Sequence, residues 1–153
     1  MKLIPTLVFA GLLAAPLIAQ TAPAIDDVPA PDSIVIEGTD VDLKQFRWKN
    51  RPLVVFADSP NDPQFIRQME LLTNELPRLI ERDVVILTDT DPEGDSALRQ
   101  QLRPRGFMLA LIVKDGTIYL RKPVPWDVRE ITRTIDKLPM REREIEERRG
   151  LPD

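Results

Sequence analysis

Pro52-Leu53-Val54-Val55-Phe56-Ala57, with Asn61-Asp62-Pro63 close behind it, decides how this chain folds. The first six residues form a short apolar run rich in β-branched and aromatic side chains, the composition of a buried strand. Asp62 can accept hydrogen bonds from the first free amides of a helix. Pro63 suits the first helical position, where no amide donor is needed. Phe65, Ile66, Met69, Leu72, Leu76 and Leu79 then recur at helical spacing. Residues 63–80 therefore read as one helix, which Pro77 can bend.

The same alternation continues toward the C-terminus. Val84 to Leu87 reads as a second buried strand, ending in Thr88-Asp89-Thr90-Asp91-Pro92, where Asp91 and Pro92 repeat the cap-and-proline signal. Ser96 to Leu102 reads as a short helix, and Phe107 to Val113 as a third strand. Lys114-Asp115-Gly116-Thr117 is a hairpin turn, because Asp-Gly readily adopts positive φ. It returns the chain through a fourth strand, Ile118 to Arg121. Asp127 and Glu130 have the spacing of a capping box. Val128, Ile131, Ile135 and Leu138 place one apolar stripe on a last packed helix that Pro139 stops. Toward the N-terminus, Ile34 and Ile36 alternate in a way that fits an edge strand. Leu43, Phe46 and Trp48 read as a short helix or turn over one edge of the core.

The expected order is thus β-α-β-α-β-β-α. Strands joined through a helix run parallel and hairpin strands run antiparallel. A right-handed crossover then gives a central mixed sheet of about four strands with flanking helices on both faces. This is an α/β, thioredoxin-like architecture, expected over residues 43–139. Residues 25–42, rich in Pro and Ala at their start, read as an extended linker. Met140 to Arg149 is charged throughout, with Glu144 and Arg148 at i, i+4 spacing, and residues 140–153 read as a solvated helix or tail. Residues 1–24 have the pattern of a signal peptide: Met1-Lys2, an uncharged apolar run from Leu3 to Ala19, then the small residues Ala19, Ala22 and Ala24. The run is short against the roughly 20 residues of a membrane helix, so no span is expected after cleavage. The expected location is periplasmic or secreted.

Composition narrows the chemistry. The sequence holds no Cys and no His. Without Cys there is no thiol–disulfide exchange, no peroxiredoxin chemistry and no thiolate metal site. Without His, acid–base work falls to carboxylates, Lys or Tyr119, and any metal site is made of oxygen. A net charge of -4 has the wrong sign for nucleic acid.

Arg105-Gly106-Phe107-Met108-Leu109-Ala110-Leu111-Ile112-Val113-Lys114-Asp115-Gly116 resembles the thioredoxin segment that enters the antiparallel hairpin, with Met108 where thioredoxins carry a cis-proline. Phe56-Ala57-Asp58-Ser59-Pro60-Asn61-Asp62-Pro63 stands where they place the Cys-x-x-Cys loop. A closer resemblance rests on several segments together. They are Arg47-Trp48-Lys49-Asn50-Arg51, Val54-Val55-Phe56-Ala57, Leu102-Arg103-Pro104-Arg105-Gly106-Phe107, Arg121-Lys122-Pro123 through Pro125-Trp126-Asp127, and Ile135-Asp136 with Leu138-Pro139-Met140-Arg141. These resemble an uncharacterised family of exported bacterial proteins of the P-DUDES type. Its peroxiredoxin-like domain also occurs in animal sushi-repeat and coiled-coil matrix proteins. The resemblance covers residues 43–142. It implies an exported thioredoxin-like domain with no established activity, and it supplies no catalytic residue.

In open α/β sheets, ligands sit beyond the carboxyl ends of the parallel strands. Those ends deliver Asp58, Ser59 and Asn61 after one strand and Thr88, Asp89 and Asp91 after the next. Arg103 and Arg105 come just before the third strand, and Trp126 is a candidate anchor for a partner. The plainer reading has Asp62 and Asp91 capping helices, the arginines pairing with nearby acids, and Phe46, Trp48 and Trp126 packing on the core. Asp89, Asp91, Glu93 and Asp95 occupy positions 1, 3, 5 and 7 of a calcium loop, with Gly94 at position 6. Gln100 stands where position 12 needs a glutamate, so the loop offers at most a weak, irregular calcium site and no other cofactor is expected. Arg99, Arg103, Arg105, Arg121 and Lys122 can group on one side to hold an anion. The leading expectation is a binding or adaptor module for an envelope or extracellular protein. The alternative is a cysteine-independent enzyme or calcium-dependent module using Asp58, Asp89 and Asp91.

Overall fold

The computed structural model describes residues 34–150, so the signal-like segment and residues 25–33 of the expected linker lie outside the described residues. The rest of that stretch is no linker: Val35–Glu37 pairs into the sheet, and Ile34 and Val41 are buried. Five strands form one sheet: β1 (Val35–Glu37), β2 (Arg51–Phe56), β3 (Val84–Asp89), β4 (Met108–Ile112) and β5 (Ile118–Lys122), in the order β1-β3-β2-β4-β5. β1 and β2 flank β3 in parallel, with Val35 and Leu53 both beside Ile86. β4 runs antiparallel to β2 and β5 antiparallel to β4. The Ile34–Ile36 alternation does yield an edge strand, and the sheet has five strands. β2 is buried at all six positions because it is central and covered on both faces.

The period-two alternation along the strands sorts side chains into two cores. Leu53, Val55, Ile86, Leu109 and Leu111 face α1 (Pro63–Thr73), α2 (Leu76–Ile80) and α4 (Val128–Asp136). Val54, Phe56, Val85, Leu87 and Ala110 face α3 (Ala97–Leu102) and the 3-10 turn Leu43–Phe46.

Local chemistry explains where the elements begin and end. Asp62 caps α1, its Oδ1 accepting from the Gln64 amide at 2.7 Å and from Phe65 at 3.4 Å. The single helix expected over 63–80 is two helices. Pro77 has no amide to donate, and its ring would meet the Thr73 carbonyl in a continuous helix, so the chain breaks and Pro77 falls in the first turn of α2. Asp91 caps no helix. α3 begins five residues later on Ser96, whose Oγ accepts from the Arg99 amide, while Asp91 folds its own loop by accepting from Glu93 N at 3.1 Å. Asp127 caps α4, and Glu130 turns instead to Arg133.

Two further expectations are overturned. Trp48 is not core: its φ is +64°, its amide donates to the Lys114 carbonyl, and its side chain is 68% exposed. The charged C-terminal stretch is not simply solvated. Pro139 opens a further helix, α5 (Pro139–Gly150), and Arg141 on it is only 2% exposed. α5 is tied by charge to the amino-terminal ends of the parallel strands. Glu144 accepts from Arg51 Nη2 at 2.8 Å and lies 2.9 Å from Lys114 Nζ, while Arg141 approaches Glu81 and Asp136.

Candidate functional site

The other end of the sheet gathers four strand ends. Phe56 leaves β2 beside Asp89 leaving β3, Met108 enters β4 opposite Phe56, and Lys122 leaves β5 opposite Leu109. Asp58, Asp89, Arg103, Arg105, Arg121 and Lys122 are carried to one rim by this register.

The acids and Arg99 close on themselves. Asp89, 5% exposed, accepts from Arg99 Nε at 2.8 Å, from Ser96 Oγ, and from the Asp91 amide at 3.2 Å. Arg99 Nη2 donates to the Ala57 carbonyl at 2.6 Å, and the guanidinium stands 5.5 Å over the Phe56 ring. Its Nη1 is 3.9 Å from Asp58, whose side chain is largely exposed. A buried charge is tolerated when it is paired and its remaining hydrogen-bonding atoms are met. This pair meets that condition, and it staples loop 90–96 to the ends of β2 and β3. Arg99 therefore does not join the other cations.

The remaining predicted site residues separate. Ser59 Oγ accepts from the Asn61 amide at 3.1 Å, shaping the turn before α1. Thr88 lies in β3, and its carbonyl accepts from Gly38 at 2.7 Å. The carboxylates of the calcium-like loop are engaged one by one: Asp89 with Arg99, Asp91 with Glu93 N, and Asp95 with Gln100 at 3.3 Å, while Glu93 is exposed. Among the described residues no three acids group as a cation needs.

The cations build a groove of about 250 Å³, lined by Arg103, Arg105, Phe107, Met108, Arg121, Lys122 and Pro123. Its shape comes from two left-handed residues around Pro104. Arg103 (φ +48°) ends α3 by donating to the Arg99 carbonyl at 2.7 Å, and Gly106 (φ +63°) supplies the second turn without steric cost. Arg103 and Arg105 are left exposed on either side of Pro104, with Phe107 and Met108 buried behind them. Arg121 Nη1 donates to the Leu102 carbonyl at 2.9 Å, a cation on the negative end of α3. Lys122 Nζ sits 4.5 Å over the Trp126 ring. Trp126 is half-buried, and its backbone is clasped on both sides by Gln68, with Trp126 N donating at 2.7 Å and Gln68 Nε2 donating back at 3.0 Å. Among the described residues none of Arg103, Arg105, Arg121 and Lys122 makes an ion pair, whereas Arg51, Arg82, Arg99 and Arg141 all do.

Gln68 was not among the expected site residues. It is fully buried on α1, three positions after Phe65 and four before Leu72. A polar side chain on the apolar stripe was the available signal.

Comparison with solved structures places the fold. A reduced 2-Cys peroxiredoxin from Plasmodium vivax superposes with a TM-score of 0.56 at 16% identity, covering 67% of this chain and 85% of that one. Thioredoxin peroxidase I from Plasmodium yoelii gives 0.52 at 19% identity, covering 67% and 80%. At such identities the likeness is one of fold. No curated protein matches this chain. The sequence profile described as a domain of unknown function, DUF4174, matches residues 42–144.

Proposed function

The chain belongs to the DUF4174 family, and on that premise we propose that it is an exported, non-redox binding module that holds a protein partner of the cell envelope at its basic groove. The observation that carries this reading is the gathering of Arg103, Arg105, Arg121 and Lys122 around Phe107 and Met108 with no acid paired to them among the described residues. Like charges held together repel one another, and an incoming anion relieves that repulsion. Other exposed cations, such as Lys49 and Arg129, also make no ion pair among the described residues; what sets the groove apart is that four cations meet around one apolar floor.

Export is supported by Met1-Lys2, the apolar run to Ala19 and the small residues after it. The names of the structural neighbours speak of two cysteines and of peroxidase. This chain has no cysteine, so it uses that fold without thiol chemistry. A catalytic reading through Asp58, Asp89 and Asp91 has less support, because Asp89 is already neutralised by Arg99.

The test is co-purification of the tagged protein from cells of its own source after mild crosslinking, with cell fractionation of the same samples. The wild type is expected in the envelope or medium fraction with a reproducible partner, which Arg105→Gln with Lys122→Gln loses and Lys49→Gln keeps. Retention in the cytoplasm would sink the export reading. Equal capture by the groove variant would sink the groove as the binding site.

A further inference from the structure

We infer that the groove recognises a short acidic peptide segment, with two carboxylates flanking one apolar side chain, presented by the partner protein. The inference rests on the adaptor reading above and names the chemistry of the partner.

Three observations converge on it. First, the guanidinium fork matches a carboxylate in a two-bond geometry, and the groove offers three such forks and an ammonium. Arg103 and Arg105 lie on the α3 side, while Lys122 lies on the Trp126 side, so cations stand on both flanks of the floor. Second, that floor is apolar: Phe107, Met108 and Pro123. A ligand of charge alone, such as a free inorganic ion, leaves it unused. Third, the volume of about 250 Å³ falls below the roughly 300–1,000 Å³ of pockets that enclose a drug-sized ligand. It suits one side chain and its neighbours from a chain that runs on into solvent.

Charge limits the length of the occupant. The net charge of -4 already counts these four cations, so the rest of the sequence carries -8. A long polyanion, whether nucleic acid or sulfated polysaccharide, would run off the groove onto a surface that repels it. A short acidic segment places its charges only where the field is favourable.

The experiment titrates the isotope-labelled protein, in its exported form, with the peptide acetyl-Glu-Leu-Glu-amide and follows backbone amide resonances. The expected result is saturable shifts centred on Gly106, Met108, Arg121 and Lys122. Acetyl-Gln-Leu-Gln-amide and acetyl-Glu-Gly-Glu-amide should both bind more weakly. Because hydrogen bonds to charged groups are the stronger class, Arg105→Gln with Lys122→Gln should weaken the acidic peptide by roughly tenfold or more. Raising salt from about 0.1 M to about 1 M, which shortens the screening length from about 10 Å to about 3 Å, should weaken it further. Equal shifts with the Gln peptide, shifts centred elsewhere, or no saturable shift would each overturn the inference. So would succinate binding as tightly as the peptide, which would make the groove a small-molecule site, or a heparin fragment binding more tightly. If the peptide fails while the groove variant still loses its captured partner, the adaptor reading stands and the acidic-segment inference falls. If the peptide binds but no partner is captured, the groove's preference for an acidic segment stands, while a partner protein that presents it, and the adaptor reading with it, falls.

Discussion

Arg51 and Glu144 are 93 residues apart in sequence, and Arg51 Nη2 donates to Glu144 Oε1 at 2.8 Å. Arg51 is fully buried at the start of β2, and its Nη1 donates to the Arg82 carbonyl at 2.9 Å. Lys114 reaches the same carboxylate, at 2.9 Å, from the hairpin turn. Glu144 is thus the shared acceptor that joins β2, the β4–β5 turn and α5. Burial pushes its carboxyl up, but hydrogen bonds from Arg51 and Lys114, together with their charges, outweigh that and hold it at about 2.

This has a direct consequence for acid stability. The Glu144 carboxyl is depressed from 4.5 to about 2 on folding. Its contribution is therefore fully present above pH 4.5 and is lost as pH falls through about 2. The shift corresponds to a contribution on the order of 3 kcal/mol. Glu144→Gln should lower the unfolding free energy by about that amount at pH 7, because buried Arg51 loses its closest charged partner and keeps only Asp83 at 3.9 Å. The gap between the two proteins should narrow below pH 4.5 and nearly vanish at pH 2. Urea unfolding across that range measures it, and a gap that stays constant with pH would refute the role given to Glu144.

At the other end of the sheet, Asp89 and Asp58 should behave oppositely. Asp89→Asn leaves Arg99 buried without its anion and should cost about 3–5 kcal/mol. Asp58→Asn touches a largely exposed carboxylate 3.9 Å from Arg99 and should cost less than about 1 kcal/mol. The double substitution Asp89→Leu with Arg99→Met should be less destabilised than Asp89→Asn alone, since no charge is stranded. Equal losses for the two single variants would contradict the view that Asp89 is a structural partner.

Gln68 should matter more than an ordinary helix residue. Gln68→Leu fits an apolar stripe but removes both clasping hydrogen bonds from Trp126. With two partly buried backbone groups left unmet, the cost should be about 1–3 kcal/mol. In a Trp48→Phe background the only remaining indole is Trp126, and its emission should shift to the red as the segment loosens. An unchanged spectrum and unchanged stability would rule out the clasp as a support for that rim of the groove.

Much of the fold was legible because buried strands of a mixed sheet read as near-continuous apolar runs, as Leu53–Phe56 and Val84–Leu87 do. The Asp62-Pro63 cap was legible because its chemistry is local. Asp91-Pro92 carries the same two residues and begins no helix, since Asp91 closes its own turn and Ser96 caps α3 instead. The docking of α5 left no local trace. Arg141 and Glu144 sit in a run of charges that reads as solvated, and the partners that bury them lie as far away as Arg51. The groove was half legible: Arg103, Arg105, Arg121 and Lys122 could be grouped as an anion-holding set, but the sequence favoured scattered surface charge as their plainer reading. Arg99 belonged to the same group by sequence, and only its approach to Asp89 removes it. Trp48 was misread because nothing in its neighbours announces the positive φ that turns it outward.

A partner bound as proposed docks in the groove rather than elsewhere on the molecule. A photo-crosslinking amino acid placed at position 105, on the groove rim, or at position 146, on the exposed face of α5, tests it most directly in the living cell. One crosslinked species is expected from position 105, absent from position 146 and lost when Lys122→Gln and Arg121→Gln are added. The same species from position 146 and none from position 105 would contradict it.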